Sequence, residues 1–400
     1  MRILHLADLH LGLKLGNQLS GLSLLPEQAA DLERVVALAE AEQVDVCLIA
    51  GDIYHHSRPS VEARTVLDRF LTSLHRLGIA TLMVPGNHDS AEGLSFLSEI
   101  LGENEIYIPQ SISAYQVKLT EDPFVMRVRL ERAGLCVDFD LLPFLRSIDL
   151  SAFEPEVLPR TTEAAVACAL REIGQHHATE PAADFSVLVA HQLVTSSGIR
   201  PELASSERLY IGATDEVSAE LFSAYDYVAL GHIHRPQALS DERCRYAGAL
   251  WPFRFSEIGI ERSIPLLELE RGQRPRLCLL PFCPAYELRR WRGALADLKR
   301  EAREESLEFT RLKEVYSEVI LTDRPLPPDA YAQISELLPR LVQLTLAERE
   351  EKTELEQIFE EPELEMTTLF KRFAEEQGGR ALTAAEEKII DIVGAEICGH

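Results

Sequence analysis

Side chains that bind metal ions recur along this sequence, and each group directly follows a short apolar run. The motifs are Asp8-Leu9-His10, Gly51-Asp52, Gly86-Asn87-His88-Asp89, His191 and Gly231-His232-Ile233-His234. Oxygen and imidazole donors without a thiolate suit Mn²⁺, Fe²⁺, Zn²⁺ or Mg²⁺, and carboxylate-rich mixtures favour the harder of these ions. Together the motifs predict one site for two metal ions, and therefore an enzyme.

Hydrolysis of a phosphate ester explains why a site needs this combination. Two metal ions about 3.5–4 Å apart supply a hydroxide that attacks phosphorus in line, and they need a bridging carboxylate. Asp52 is the natural bridge, because Gly51 lets the backbone come close where a side chain would crowd the ions. His88, next to Asn87, is placed to protonate the leaving alkoxide, since an imidazole titrates near neutral pH.

The apolar runs before these motifs have the length and composition of buried β-strands. They cover residues 2–6, 46–49, 80–84, 185–189 and 227–230. Helices are predicted over 28–43, 60–77, 91–101, 162–176 and 217–222, with further strands between 226 and 281. Alternation of strand and helix is typical of βαβ units. Because sites in open α/β sheets assemble beyond the carboxyl ends of the strands, the fold would bring the motifs together.

The motifs resemble the signature of calcineurin-like metallophosphoesterases. This resemblance implies an α/β fold in which two mixed sheets pack face to face, with helices on their outer sides. It also implies how the ligands divide between the two ions. One ion would have Asp8, His10, Asp52 and His234, and the other Asp52, Asn87, His191 and His232.

More narrowly, the sequence is similar to the SbcD family, the nuclease subunits of bacterial SbcCD complexes. The similarity rests on Ala190-His191-Gln192, on residues 226–237 and on Leu369-Phe370, and it extends nearly end to end. It implies a Mn²⁺-dependent DNA phosphodiesterase of repair, recombination and replication. Such an enzyme is a 3′–5′ exonuclease on double strands and an endonuclease on single strands and hairpins. His88 and His55 are then its two catalytic histidines.

The same similarity implies the partners. No Gly-Lys dipeptide and hence no Walker A phosphate loop occurs, so any ATP dependence must come from another chain. That chain would be an SbcC-like coiled-coil ATPase, joined to a homodimer of this chain in a heterotetramer. The sequence contains no run of about eighteen apolar residues, so no membrane-spanning helix is predicted. The seven cysteines form no Cys-x-x-Cys pair, which is typical of the reducing cytoplasm, where a nucleoid-associated enzyme would work.

The formal net charge of −25 is unusual for a protein that handles DNA, but the charge is uneven. Residues 347–365 hold nine glutamates against Arg349 and Lys352. Residues 271–303 hold nine arginines and lysines against three acidic residues. The basic stretch is either a DNA-contacting surface or a face of internal ion pairs.

Periodicity divides the chain into four parts. Residues 1–284 are predicted to form one domain and residues 285–346 a small α/β cap; the resemblance to the SbcD family implies that the first is the nuclease domain and that the cap helps receive DNA. The cap pattern is a helix over 289–304, a strand over 314–321, a helix over 328–338 and a strand over 341–346. Residues 347–364 form an acidic linker, and 365–400 a tail of two amphipathic helices, over 366–376 and 384–393. The tail either docks on the ATPase or packs back on its own chain.

Several other polar residues have open or structural interpretations. His5 lies inside the first strand pattern and is expected in the core, whereas His75, His176, His177 and His400 are expected to be exposed. His56 is either part of the site wall or loop surface, and Asp89 either orients His88 or caps the next helix. Two other functions are considered. One is a phosphomonoesterase or cyclic-nucleotide phosphodiesterase on the same scaffold, and the other is a metal-binding scaffold without catalysis.

Overall fold

The strands and helices belong to the part of the chain that the computed structural model describes, which is residues 1–16, 21–109, 126–132, 134–153, 156, 160–196, 200–202, 216–239, 241–347, 383 and 387. The strands are β1 Arg2–Leu6, β2 Lys14–Leu15, β3 Leu22–Ser23, β4 Val46–Ala50, β5 Ala80–Val84, β6 Ile106–Tyr107, β7 Met126–Arg132, β8 Leu135–Leu142, β9 Phe185–His191, β10 Leu193–Thr195, β11 Glu216–Ser218, β12 Tyr227–Gly231, β13 Gln237–Leu239, β14 Asp241–Tyr246, β15 Arg262–Glu268, β16 Arg276–Phe282, β17 Leu288–Gly293, β18 Tyr316–Leu321 and β19 Leu341–Leu346. The α-helices are α1 Leu25–Ala41, α2 Val61–Arg76, α3 Ala91–Leu94, α4 Ser98–Glu103, α5 Leu150–Phe153, α6 Thr162–His176, α7 Leu295–Glu304, α8 Leu307–Glu314 and α9 Ala330–Leu337.

Two six-stranded mixed sheets carry the residues of interest. Sheet I has the order β16-β15-β1-β4-β5-β6, and sheet II has the order β13-β14-β12-β9-β8-β7. In sheet I the strands β1, β4, β5 and β6 are parallel, β15 runs antiparallel to β1, and the edge strand β16 runs antiparallel to β15. In sheet II the four central strands are parallel, and the edge strands β7 and β13 are antiparallel to their neighbours.

The two sheets pack face to face and are covered by helices on their outer sides. Ile3 and Leu48 of sheet I share a buried cluster with Phe139 and Val189 of sheet II. A second cluster lies between sheet I and the helices α1 and α2, and a third lies between sheet II and α6. The α/β sandwich expected from the motif resemblance is therefore confirmed.

Local sequence explains the main elements. The five residues of β4, Val-Cys-Leu-Ile-Ala, are all buried, as expected for a parallel strand covered on both faces. Helix α2 begins after Ser60, whose hydroxyl accepts a hydrogen bond from the N–H of Ala63, and α6 begins after Thr161, which caps Ala164 in the same way. The predicted helix over 162–176 is confirmed.

Two other predicted helices are shorter or broken. The helix predicted over 91–101 is two short helices, α3 and α4, because Leu97 between them adopts a left-handed backbone conformation with φ of 67°. The helix predicted over 217–222 is only a 3₁₀ turn over Ala219–Phe222, because Val217 pairs in the strand β11 with Val194.

Strands β17, β18 and β19 form a separate three-stranded sheet with α7, α8 and α9 around a small core that includes Leu298, Val319 and Ile334. The helix predicted over 289–304 is wrong in its first third, where β17 pairs with β18 in parallel from Leu288–Tyr316 to Gly293–Leu321. Arginine favours helices in isolation, but pairing and burial across the sheet decide the conformation here.

The four-part domain division stays a prediction. The predicted linker over 347–364 and tail over 365–400 lie outside the described residues, apart from residues 347, 383 and 387. Among the described residues, none of the helices combines the length and the apolar composition of a membrane-spanning segment.

Candidate metal centre

The carboxyl ends of five strands from both sheets converge on one place. β1 leads to Asp8 and His10, β4 to Asp52, and β5 to Asn87 and His88. From sheet II, β9 ends at His191, and β12 leads to His232 and His234. Every predicted ligand and both predicted catalytic histidines have a direct contact with another member of this set.

One group of donor atoms surrounds His10. The Nε2 atom of His10 lies 3.2 Å from Nε2 of His234 and 3.4 Å from Oδ2 of Asp52. The donor atoms of Asp8, His10 and His234 all lie within 4.8 Å of one another. Two imidazole nitrogens that face each other beside carboxylates can all coordinate one cation placed between them.

A second group surrounds Asn87. The amide oxygen of Asn87 lies 3.1 Å from Nε2 of His191 and 3.1 Å from Nδ1 of His232. Nε2 of His191 is also 3.5 Å from Oδ2 of Asp52. The same Asp52 oxygen thus faces both groups of donors, which is the position that a bridging carboxylate needs.

The backbone at these ligands is unusual. Asp8, His10, Asp52 and His232 have φ angles of 53°, 40°, 49° and 98°, in the left-handed region that side chains other than glycine rarely adopt. Such conformations cost on the order of 1–3 kcal/mol each and persist where the surrounding structure enforces them. With these φ angles the chain turns sharply after each strand and directs the side chains toward the centre. The sequence motifs did not predict these turns.

Two glycines make room for His191. A Cβ atom at Gly51 would lie 2.2 Å from Nδ1 of His191, and one at Gly231 would lie 1.8 Å from the carbonyl oxygen of Ala50. The prediction for Gly51 is corrected accordingly, since it clears space for the imidazole of a facing ligand rather than for the ions. The His191 ring donates a hydrogen bond from Nδ1 to the carbonyl oxygen of Ala50 at 2.8 Å. Its Nε2 atom is therefore the one that can coordinate a metal.

The two predicted catalytic histidines lie side by side at the open edge of the centre. The ring of His88 is partly exposed, and its Nδ1 lies 3.0 Å from the carbonyl oxygen of His55. The His55 ring stacks on it at 5.6 Å, and its Nδ1 lies 3.5 Å from Nδ1 of His10. His56 is exposed and packs against His55 at 4.4 Å, so it belongs to the surface next to the site.

Asp89 has a role that neither sequence interpretation foresaw. Its carboxylate accepts hydrogen bonds from the N–H groups of Ile53 at 3.0 Å, Tyr54 at 2.9 Å and Gly86 at 2.9 Å. The next helix, α3, is capped by Ser90 instead. Asp89 therefore joins the loop after β4 to the loop after β5, and these loops carry Asp52 and Asn87.

The electrostatics favour metal-binding protonation states at most of the imidazoles. Burial lowers the pKa of His232 and of His234 to about 3, and it lowers the pKa of His10 well below its usual value. At His191 burial acts in the same direction, but the Asp52 carboxylate outweighs it and raises the pKa to about 9. Neutral imidazoles are the form that binds metal ions, so three of the four rings need lose no proton.

A cleft of about 750 Å³ opens in front of these residues. Phe253 borders one donor group, with its ring 5.0 Å from that of His10 and 4.8 Å from that of His234. Phe144 borders the other group, 6.2 Å from the ring of His232. Residues 342–344 of β19 also line the cleft. Sequence patterns had not marked either phenylalanine, because an isolated aromatic residue carries no spacing signal.

The other isolated histidines lie away from the centre. His5 is buried in β1, where its Nδ1 lies 3.1 Å from the hydroxyl of Tyr227, as expected for a core residue. His75 and His176 are exposed, whereas His177 is half-buried, with its Nδ1 2.7 Å from Glu180. His400 lies outside the described residues.

The basic stretch over 271–303 is largely a face of ion pairs. Five of its arginines lie beside a carboxylate, in the pairs Arg271–Asp184, Arg276–Glu268, Arg289–Glu287, Arg290–Glu318 and Arg300–Asp297. One of them, Arg290, also lines the cleft. The internal ion-pair alternative therefore holds for most of this stretch.

Comparisons with known proteins give the family. A family model described as "Calcineurin-like phosphoesterase" matches residues 1–236, and one described as "Type 5 capsule protein repressor C-terminal domain" (SbcD_C) matches residues 284–378. The curated SbcD subunit of the nuclease SbcCD from Rhodobacter capsulatus is 34% identical over 287 residues, which cover 70% of this chain and 69% of that protein. The protein of the same name from Staphylococcus saprophyticus is 28% identical over 393 residues, covering 98% and 97%.

Among solved structures, a dimetal phosphatase from Danio rerio matches with 14% identity and a TM-score of 0.38, covering 71% of this chain and 99% of that one. This likeness is too distant to support a functional comparison. The family model and the curated relatives show that the chain belongs to the calcineurin-like phosphoesterases and, within them, to the SbcD family of SbcCD nuclease subunits.

Proposed function

We propose that this chain hydrolyses DNA phosphodiesters at a centre of two divalent metal ions bridged by Asp52. One observation carries the proposal. Oδ2 of Asp52 lies 3.4 Å from Nε2 of His10 and 3.5 Å from Nε2 of His191, so a single carboxylate oxygen faces two separate sets of donors. The donor set of carboxylate, amide and imidazole groups fits Mn²⁺, which is the proposed ion.

The proposed ligands follow the two donor groups described above. One ion would be held by Asp8, His10, Asp52 and His234, and the other by Asp52, Asn87, His191 and His232. When bound, the ions supply a hydroxide nucleophile near neutral pH and neutralise charge on the phosphoryl oxygens.

His88 is proposed as the general acid. Its backbone N–H donates to Oδ1 of Asp52 at 2.9 Å, and its Nδ1 lies next to the carbonyl oxygen of His55. A ring that donates from Nδ1 to that carbonyl is fixed in orientation, so its Nε2 faces the cleft, where the ring in its protonated form can give the Nε2 proton to a leaving alkoxide and become neutral. His55 is proposed to position His88 by stacking against it and by this carbonyl contact.

The proposed substrate is DNA. The curated relatives are named as nuclease subunits, and the proposed activities are 3′–5′ exonuclease on double strands and endonuclease on single strands and hairpins. Residues 285–346 are proposed as the cap that receives DNA, since residues 342–344 line the cleft from that side. A phosphomonoesterase or cyclic-nucleotide phosphodiesterase is not favoured, because the relatives are nucleases.

The proposed partner is an SbcC-like coiled-coil ATPase. The relatives' name makes them one subunit of an SbcCD nuclease, and this sequence has no Gly-Lys dipeptide for an ATP phosphate loop. We propose a heterotetramer with two copies of this chain, bound through the tail over 365–400 behind the acidic linker 347–364, in the nucleoid of the cytoplasm.

The test uses end-labelled single-stranded, hairpin and duplex DNA with the purified chain, in Mn²⁺ and in a chelator, with and without the ATPase. Metal-dependent cleavage of single strands by the chain alone is expected, and ATP-dependent degradation of duplex ends only with the ATPase. Hydrolysis of phosphomonoesters but not of DNA would contradict the substrate. Bound metal without any hydrolysis would support a non-catalytic scaffold.

A further inference from the structure

The cleft carries positive charges that the hydrolytic centre does not use. Lys14, Arg254 and Arg290 line it, together with the acidic residues Asp52 and Glu318. Since the whole chain has a formal charge of −25, cations concentrated here are the opposite of its average surface. At physiological ionic strength the Debye length is about 8 Å, so the residues that line the cleft, rather than the net charge, govern an approaching phosphate.

Arg254 is the cation next to the metal centre. It directly follows Phe253, whose ring contacts His10 and His234, and it is exposed to the cleft. Its charge also contributes to the lowered pKa of His55, after burial and the charges of His56 and His88. Within the described residues, no carboxylate lies within ion-pair distance of Arg254 or of Lys14. An exposed guanidinium without a carboxylate partner is available for an anionic ligand.

Arg290 reaches the same cleft from the three-stranded sheet. Its Nε donates to Oε2 of Glu318 at 2.6 Å, and the Glu318 side chain is only 8% exposed while that of Arg290 is 46% exposed. A buried carboxylate therefore fixes one side of the guanidinium. The terminal nitrogens remain for a ligand, and a planar fork pairs with phosphate oxygens through two parallel hydrogen bonds.

We propose that Arg254 and Arg290 form a subsite for a backbone phosphate that flanks the scissile phosphodiester, with Lys14 as a further cation of the same cleft. The subsite rests on the proposed function and adds a reason why the enzyme would prefer polynucleotides. A small diester has no flanking phosphate and gains nothing from the two arginines, whereas a nucleic-acid strand carries a further phosphate that they can contact.

The experiment compares a single-stranded oligonucleotide with bis(p-nitrophenyl) phosphate, a diester without flanking phosphates, both in Mn²⁺. The variants are Arg254→Ala, Arg254→Lys and Arg290→Ala. Arg276→Ala is the matched control, since Arg276 is 76% exposed and lies outside the cleft. Thermal melting verifies that each variant is folded, and the lysine variant keeps the charge while it removes the fork.

For each arginine-to-alanine variant we expect KM for the oligonucleotide to rise roughly 10-fold, as for loss of a charge-assisted hydrogen bond. The slope of log KM against log salt should fall by about 0.7, the value for one phosphate contact on a single strand. The loss on the small diester should be several-fold smaller, and Arg254→Lys should keep most of the salt slope but not the full affinity.

Two outcomes overturn the subsite in distinguishable ways. If the wild-type chain cleaves the oligonucleotide but the variants share its KM and salt slope, the subsite is wrong and the nuclease function stands. If the wild-type chain hydrolyses only the small diester, both proposals fail.

Discussion

The backbone N–H of His88 donates a hydrogen bond to Oδ1 of Asp52 at 2.9 Å, while Nε2 of the same histidine lies 4.0 Å from Oδ2. The main chain of His88 therefore helps hold the proposed bridging carboxylate, and its ring stays available for proton transfer. Because one residue does both through different atoms, the two contributions can be separated by truncating the side chain.

His88→Ala is expected to keep the metal ions and lose most hydrolysis. The backbone contact to Asp52 remains, but the general acid is removed, which typically costs about 10²–10⁴-fold in rate. Metal content by elemental analysis and turnover of single-stranded DNA measure the two effects, with the exposed neighbour substitution His56→Ala as control. A near wild-type rate would exclude His88 as the acid.

Asp52→Ala should lose bound metal as well as activity. The substitution removes the carboxylate oxygen that lies 3.4 Å from Nε2 of His10 and 3.5 Å from Nε2 of His191, so the ions lose their proposed shared ligand. Mn²⁺ stoichiometry after dialysis is the measurement, and Asp68→Ala on the exposed face of α2 is the control. Two retained ions would show that another residue bridges them.

Asp89→Asn should weaken metal binding without abolishing folding. The amide cannot accept all three backbone hydrogen bonds, so the loops bearing Asp52 and Asn87 are held less firmly. Loss of such a supporting group typically costs about 10–100-fold in metal affinity. Calorimetric Mn²⁺ titration gives the affinity, and kcat at saturating Mn²⁺ should recover most of its value. Ser90→Ala, which removes only the α3 cap, is the control, and equal Mn²⁺ affinities for both variants would refute the positioning role.

His5 should make the fold sensitive to acid. Burial lowers its pKa from 6.5 to about 3, with a smaller contribution from the charge of Arg245. Because the unfolded chain takes up a proton at this site below pH 6.5 and the native state does not, stability is lost as pH falls from 6.5 toward 3. Uptake of one proton by the unfolded chain lowers the free energy of unfolding by about 1.4 kcal/mol for each pH unit below 6.5. The free energy of unfolding is therefore about 2 kcal/mol lower near pH 5.

The measurement is urea unfolding of the protein in the presence of a metal chelator, at roughly pH 7.5 and pH 5. His5→Gln should show about 2 kcal/mol less pH dependence than the wild type, whereas the exposed substitution His75→Gln should match the wild type. Identical pH dependence in His5→Gln and wild type would mean that the native state accommodates the charged ring.

The sequence was most informative where chemistry and periodicity coincided. Asp8, Asp52 and His191 follow apolar runs that are strands in the structure, so both their identity and their meeting point were predictable. The contacts of Asp89 were not, because its partners Ile53 and Tyr54 lie more than thirty residues away along the chain and a hydrogen bond to a distant backbone leaves no local pattern.

The same limit explains why the helix predicted over 289–304 is wrong in its first third. Local composition there favours a helix, and only pairing with β18, about 28 residues later, makes residues 288–293 a strand. Arg290, which pairs in this strand with Glu318, lines the cleft. Long-range pairing, rather than local propensity, decides which charges the substrate meets.

Strand β1, which leads to Asp8 and His10, lies in sheet I between β4 and β15, and β15 is formed by residues 262–268. A nascent chain reaches residue 234 with every proposed ligand synthesised, yet β1 is still an unpaired sheet edge on one side. Every residue of the proposed centre is therefore synthesised before the strand that pairs with the free side of β1, so the sheet that leads to Asp8 and His10 cannot be completed until residues 262–268 have emerged.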